Sequence, residues 1–184
     1  MNEEDNSPKN EGMSDVAGLD EEQWMRSVVD RFSGSLTRYA AGITRDLESA
    51  RDVVQDTFLR LWREEREKMQ DHLAPWLFRV CRNRAVDHCR KEGRMSPLDN
   101  AFLERERSDD PSPAAVAERS EAAEQAYSYV EALPSNQREV VRLKFQNDLS
   151  YKEIAEVTGL TVTNVGFLLH TALKALRNRM KLEG

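Results

Sequence analysis

Apolar residues recur at three- and four-residue intervals along most of the chain, and no strand signal interrupts them. The pattern predicts an all-α protein. A first helix is expected over roughly 21–42, with Trp24, Val28, Val29, Phe32, Leu36, Tyr39 and Ala40 on its apolar side and Gly42 at or near its end. A second begins near Leu47 and carries Ala50, Val53, Val54, Phe58, Leu59, Leu61 and Trp62. A third, 75–92, takes Pro75 in its first turn and carries Trp76, Leu77, Val80, Cys81, Ala85 and Val86 before Gly93 punctuates it. Pro97, Pro111 and Pro113 then stand among Ser and Asp residues, and helical pattern resumes at about Ala114. Pro134 precedes the run Ser135–Gln146, where Ser135 is expected to cap and Glu139 to support the first turns.

The last forty residues carry the sharpest local signals. Ser150 followed by Glu153 is a capping-box pattern, in which the hydroxyl accepts from the Glu153 N–H and the carboxylate reaches back. Gly159 stands where a left-handed turn is needed, and Thr161 can cap a second helix with Val165, Leu169, Ala172, Leu173 and Leu176 on its apolar side. Two short helices joined this way write a helix-turn-helix, whose second helix enters a DNA major groove. A plain helical hairpin has the same spacing.

The net charge of −6 on 184 residues argues against nucleic acid only as an average. Residues 1–30 and 95–125 are acidic, whereas residues 71–94 hold Arg79, Arg82, Arg84, Arg90, Lys91 and Arg94. Local fields decide phosphate binding, and the acidic segments could mask the basic helices. Residues 1–20 are expected to be a disordered acidic tail and residues 94–118 a flexible linker between two helical domains, 21–93 and 119–184. No apolar run approaches the roughly 20 residues needed to span a bilayer, and no secretory signal is visible. A cytoplasmic protein without membrane insertion is expected. Cys81 and Cys89, about 12 Å apart along one helix, are too far apart for a disulfide and read as buried thiols. His72, His88 and Cys89 lack a recognisable ligand spacing, so neither metal nor cofactor is expected. No catalytic set is persuasive, and the chain reads as non-enzymatic.

Three segments together resemble the extracytoplasmic-function (ECF) group of sigma-70 factors, from about residue 21 to residue 180. Ser49-Ala-Arg-Asp-Val-Val-Gln-Asp-Thr-Phe-Leu-Arg-Leu-Trp-Arg63 is similar to the region 2 helix that docks on RNA polymerase core. Ala74-Pro-Trp-Leu-Phe-Arg-Val-Cys-Arg-Asn-Arg-Ala-Val-Asp-His-Cys-Arg-Lys91 is similar to the helix that opens the −10 element. Leu133-Pro-Ser-Asn-Gln-Arg-Glu-Val-Val-Arg-Leu-Lys-Phe145, with Leu149-Ser-Tyr-Lys-Glu-Ile-Ala-Glu156, resembles region 4, which binds the −35 element.

The resemblance implies a promoter-specificity subunit whose partners are the core polymerase (beta and beta-prime subunits), promoter DNA and an anti-sigma factor. Asp52, Gln55, Asp56, Leu59, Trp62 and Arg63 are the implied core-binding set, and the family commonly has an acidic residue where Arg51 stands. Trp76, Arg79, Asn83, Arg84, Asp87, Arg90 and Lys91 form the implied −10 set, with Trp76 either a wedge at the melted step or core. Aromatic stacking plus cations is how single strands are held. The loop 66–74 lies where the family forms a pocket for a flipped base.

Lys152, Thr161, Thr163, Asn164, Gly166, Phe167, His170, Thr171 and Lys174 form the −35 set. Relatives usually carry Lys, Ser and Arg at the positions of Gly166, Phe167 and Leu168, and often Arg at Thr171, so this recognition helix is poor in cations. Asn164 can pair with adenine and Phe167 can meet a thymine methyl. Gly166 can admit close approach of DNA, or Phe167 and Leu168 can pack on another protein surface. Competing readings are a helix-turn-helix regulator acting without polymerase and a sigma-like adaptor.

Overall fold

The computed structural model describes residues 20–69, 72–93 and 121–183, and all its regular elements are helices. Helix α1 (Glu21–Thr44) starts at Asp20, whose carboxylate accepts from Gln23 N at 2.8 Å while Gln23 reaches back, a capping box. It runs past Gly42 and stops at Arg45, which adopts a left-handed conformation with φ 58°. Asp46 then caps α2 (Leu47–Leu61) by accepting from Ser49 N at 2.7 Å. A single 3₁₀ turn, Arg66–Lys68, leads toward α3 (Leu73–Lys91), where Pro75 occupies the first turn, as expected of a residue without an N–H.

These three helices bury one face each against the others. Leu36 and Ala40 of α1, Ala50 and Leu61 of α2, and Leu77, Phe78, Cys81 and Ala85 of α3 are almost wholly removed from water. Burial of each large side chain is worth about 1.5–3 kcal/mol. The Tyr39 ring meets Phe78 edge-on with centroids 5.3 Å apart.

The C-terminal unit comprises α4 (Glu121–Glu131), α5 (Ser135–Phe145), α6 (Tyr151–Thr158) and α7 (Val162–Glu183). Ser135 does not cap α5: Pro134 is the N-cap, without a side-chain hydrogen bond, and Ser135 is the first helical residue. Ser150 and Glu153 do form the capping box on α6, and Gly159 closes that helix at φ 77°. Thr161 accepts from Asn164 N at 3.2 Å and so caps α7. Val140, Leu143, Ile154, Val165, Leu169 and Ala172 make the core of this unit.

The two units share one continuous core, with α3 lying against α6. Cys81 and Cys89 are both buried on α3 and form no disulfide. Residues 1–19 of the acidic tail, the whole 94–118 linker and the expected helix start at Ala114 lie outside the described residues.

Candidate functional site

Three surfaces carry the predicted site residues. The first is an open, mostly apolar groove between α1 and α2, about 420 Å³ in volume, floored by Met25, Val29, Val54 and Phe58. Gln55, Leu59 and Trp62 line its α2 wall, and Leu59 and Trp62 remain 53% and 54% exposed. Large apolar side chains left this open to water are uncommon on a soluble surface and single the groove out. Arg51 also lines it, whereas Asp52 and Arg63 are exposed and lie outside its lining. Asp56 is turned the other way, half-buried and paired with Arg84 of α3. One predicted core contact and one predicted −10 contact thus neutralise each other.

The second surface is α3. Trp76 is only 8% exposed and belongs to the core, so in this conformation it is not available as a wedge between bases. Arg79 pairs with Glu156 of α6 at 3.1 Å, and Asp87 pairs with Arg90 at 3.6 Å. Asn83 and Lys91 are exposed. Arg82, absent from the predicted set, is directed to Glu139 on α5, with Nε at 2.9 Å from Oε1. Burial alone would lower the Arg82 pKa, but the Glu139 carboxylate and the Tyr39 hydroxyl together outweigh it and raise it. In the loop before α3, the Arg66 guanidinium lies 5.4 Å from the centroid of the Trp24 ring, a cation–π contact.

The third surface is the outward side of α7 with Lys152 of α6 beside it. Thr161, Thr163, Phe167, His170 and Lys174 are exposed; Asn164 and Thr171 are half-buried. Phe167 is 66% exposed. Leu168 is buried in the unit's own core and cannot serve as a contact to another protein. Gly166 is half-buried, and a Cβ there would lie 3.7 Å from the ring of Tyr151, itself 44% exposed.

Sequence reasoning stopped this surface at Lys174. Thr163, Phe167, His170, Lys174, Arg177 and Lys181 are spaced four, three, four, three and four apart, which keeps them on one side of a helix. All six are exposed, and the last four flank a shallow depression along α7. The cations missing from the start of the recognition helix therefore reappear two to three turns later. The spacing carried that signal, although a basic stripe on an exposed helix reads equally well as a solvated face.

An exposed apolar groove, a basic helix and a helix-turn-helix with a basic outward stripe are the surfaces this helical protein presents. Family comparison gives the class its name. Residues 28–95 match the model for sigma-70 region 2, and residues 123–176 match that for sigma-70 region 4. The chain belongs to the sigma-70 family, in its ECF group, and is a transcription initiation factor that directs RNA polymerase to specific promoters. A regulator acting through its helix-turn-helix alone would not need the region 2 match.

The ECF RNA polymerase sigma factor SigL of Mycobacterium tuberculosis is 31% identical over 158 residues, covering 83% of this chain and 86% of that protein. The ECF RNA polymerase sigma factor SigM of Bacillus subtilis is 29% identical over 156 residues, covering 83% of this chain and 94% of its own length. Among solved structures, the sigma factor RpoE of Bartonella quintana, in complex with the anti-sigma factor NepR, has the same fold. Its TM-score is 0.64 at 20% identity, over 88% of this chain and 99% of that one.

Proposed function

We propose that the α1/α2 groove is the seat for the polymerase core, with Gln55, Leu59 and Trp62 as its contact wall and Asp52 and Arg63 as its charged margin. The observation that carries this reading is the pair of large apolar side chains left exposed beside the groove. An apolar helix ridge entering it would remove Leu59 and Trp62 from water, and aromatic anchors of this kind are typical hot spots. The same groove suits an anti-sigma factor, which would then compete with core.

In this reading α7 enters the −35 major groove. Thr163, Asn164 and Phe167 face base edges, whereas His170, Lys174, Arg177 and Lys181 follow the phosphates. Helix α3 holds the melted −10 strand through Asn83, Arg84, Arg90 and Lys91, with Arg79 and Trp76 recruited once they are uncovered. The chain itself is non-catalytic; bond formation belongs to the polymerase it positions, in the cytoplasm.

Size-exclusion chromatography with purified core polymerase tests the groove. Wild-type chain co-elutes with core, and Trp62→Ala weakens binding by about 30-fold or more, the loss of a hot spot worth about 2 kcal/mol. Failure of the wild-type chain to co-elute would contradict the reading.

A further inference from the structure

The recognition helix begins without charge. From Val157 to Leu173 the sequence holds no Asp, Glu, Lys or Arg, and the first Lys or Arg on the outward stripe of α7 is Lys174. In a helix-turn-helix, the residues that start the second helix are the ones that reach base edges. Here Val162 and Phe167 are 48% and 66% exposed, Thr161 and Thr163 are exposed, and Asn164 is half-buried. Val165, Leu168 and Leu169 go into the core, and Phe167 between them does not. Phe167 follows Thr163 by four residues and Asn164 by three, so the three are neighbours on the helix surface.

Major-groove chemistry limits what such a surface can read. Guanine is singled out by two acceptors, O6 and N7, which call for the paired donors of Arg or Lys. No such side chain starts α7. Lys152 belongs to α6, the helix that crosses the DNA backbone in this motif and so serves phosphates. His170 can donate to a purine N7, but adenine and guanine share that acceptor. The Thr161 hydroxyl oxygen already accepts from Asn164 N, and Gly166 has no side chain to offer. What remains is apolar or amide. The groove's one apolar group is the thymine C5-methyl, and adenine N6–H and N7 match the carbonyl and amide of an asparagine.

We propose that this chain reads its −35 element as A·T pairs, with Phe167 seated on a thymine C5-methyl and Asn164 on adenine, and with no contact specific to guanine. The Thr163 methyl group extends the apolar seat. The proposal rests on the assignment of α7 to the −35 major groove. Attraction to phosphates falls to Lys174, Arg177 and Lys181, all exposed farther along the helix. Because the informative group is a methyl, 5-methylcytosine substitutes in part for thymine, whereas cytosine does not.

The test uses the full chain bound to core polymerase, and duplexes carrying a promoter that this complex transcribes. Each thymine of the −35 element is replaced in turn by deoxyuridine, which lacks only the methyl, and each guanine by 7-deazaguanine, which lacks N7. For the wild-type chain, at least one deoxyuridine is expected to lower affinity about fourfold, equivalent to the ~0.8 kcal/mol of one buried methyl. Every 7-deazaguanine is expected to change it by less than about twofold. At the sensitive position, 5-methylcytosine binds about fourfold more tightly than cytosine. Phe167→Ala truncates an exposed side chain and leaves the core filled, and it is expected to bind the thymine and deoxyuridine duplexes alike. Circular dichroism confirms that its helix content is retained. Silence of deoxyuridine at every position would overturn the proposal. So would a loss of about tenfold with any 7-deazaguanine, or a methyl effect that survives Phe167→Ala. A complex that prefers no promoter duplex over random sequence would instead overturn the −35 assignment on which the proposal rests.

Discussion

At the residue scale, Gly166 and Phe167 are adjacent in sequence and differ in their surroundings. Phe167 points to solvent from the outward stripe, whereas Gly166 faces Tyr151 across the helix-turn-helix. A methyl group at 166 enters ordinary van der Waals contact and removes the entropic cost of a helical glycine. Gly166→Ala is therefore expected to stabilise the chain by up to about 1 kcal/mol, read as a rise in Tm, with duplex affinity retained. A lower Tm would show that the site has no room.

Cys81 shows burial acting on chemistry. Desolvation pushes its thiol up to about 12, because a thiolate has nowhere to be solvated. A raised folded-state pKa means that the thiol's stabilising contribution is fully present below its ordinary value near 9. It is lost as pH rises from there toward 12. At pH 8 neither buried cysteine should react with a thiol reagent until the chain unfolds. Rapid labelling of native protein would contradict this packing.

At the element scale, local chemistry was legible and long-range chemistry was not. The capping box at Ser150, the left-handed Gly159 and the Thr161 cap each depend on residues within a turn, so the sequence displays them. Glu139 could not be read this way. Its partners lie 57 and 100 residues away, and nothing near it distinguishes an interdomain acid from a helix-dipole acid. Gly42 does lie close to the end of α1, as its sequence position suggests, but the Arg142 guanidinium that a Cβ there would meet is 100 residues away and gives no local signal. Asp56 and Arg84 were assigned to different partners because their mutual contact appears only once α2 and α3 are packed.

The outward stripe of α7 makes a prediction of its own. If Arg177 and Lys181 follow phosphates, replacing either by alanine should lower affinity for every duplex alike. Each change should also reduce the salt slope of log K by about 1. An unchanged slope would confine the DNA contact to the first half of the helix.

At the scale of the whole molecule, a net charge of −6 coexists with two cationic surfaces because charge is distributed by element. In the proposed reading, core engages the groove on α1 and α2, duplex meets the outward stripe of α7, and α3 holds the melted strand. Family membership supplies the overall activity.

The central claim is that the chain confers promoter specificity on RNA polymerase core. It is tested most directly by run-off transcription with purified core and a library of candidate promoters. The account predicts transcripts that start at a small set of shared −35/−10 sequences and depend on the added chain. Core that gives the same products with and without it would contradict the account.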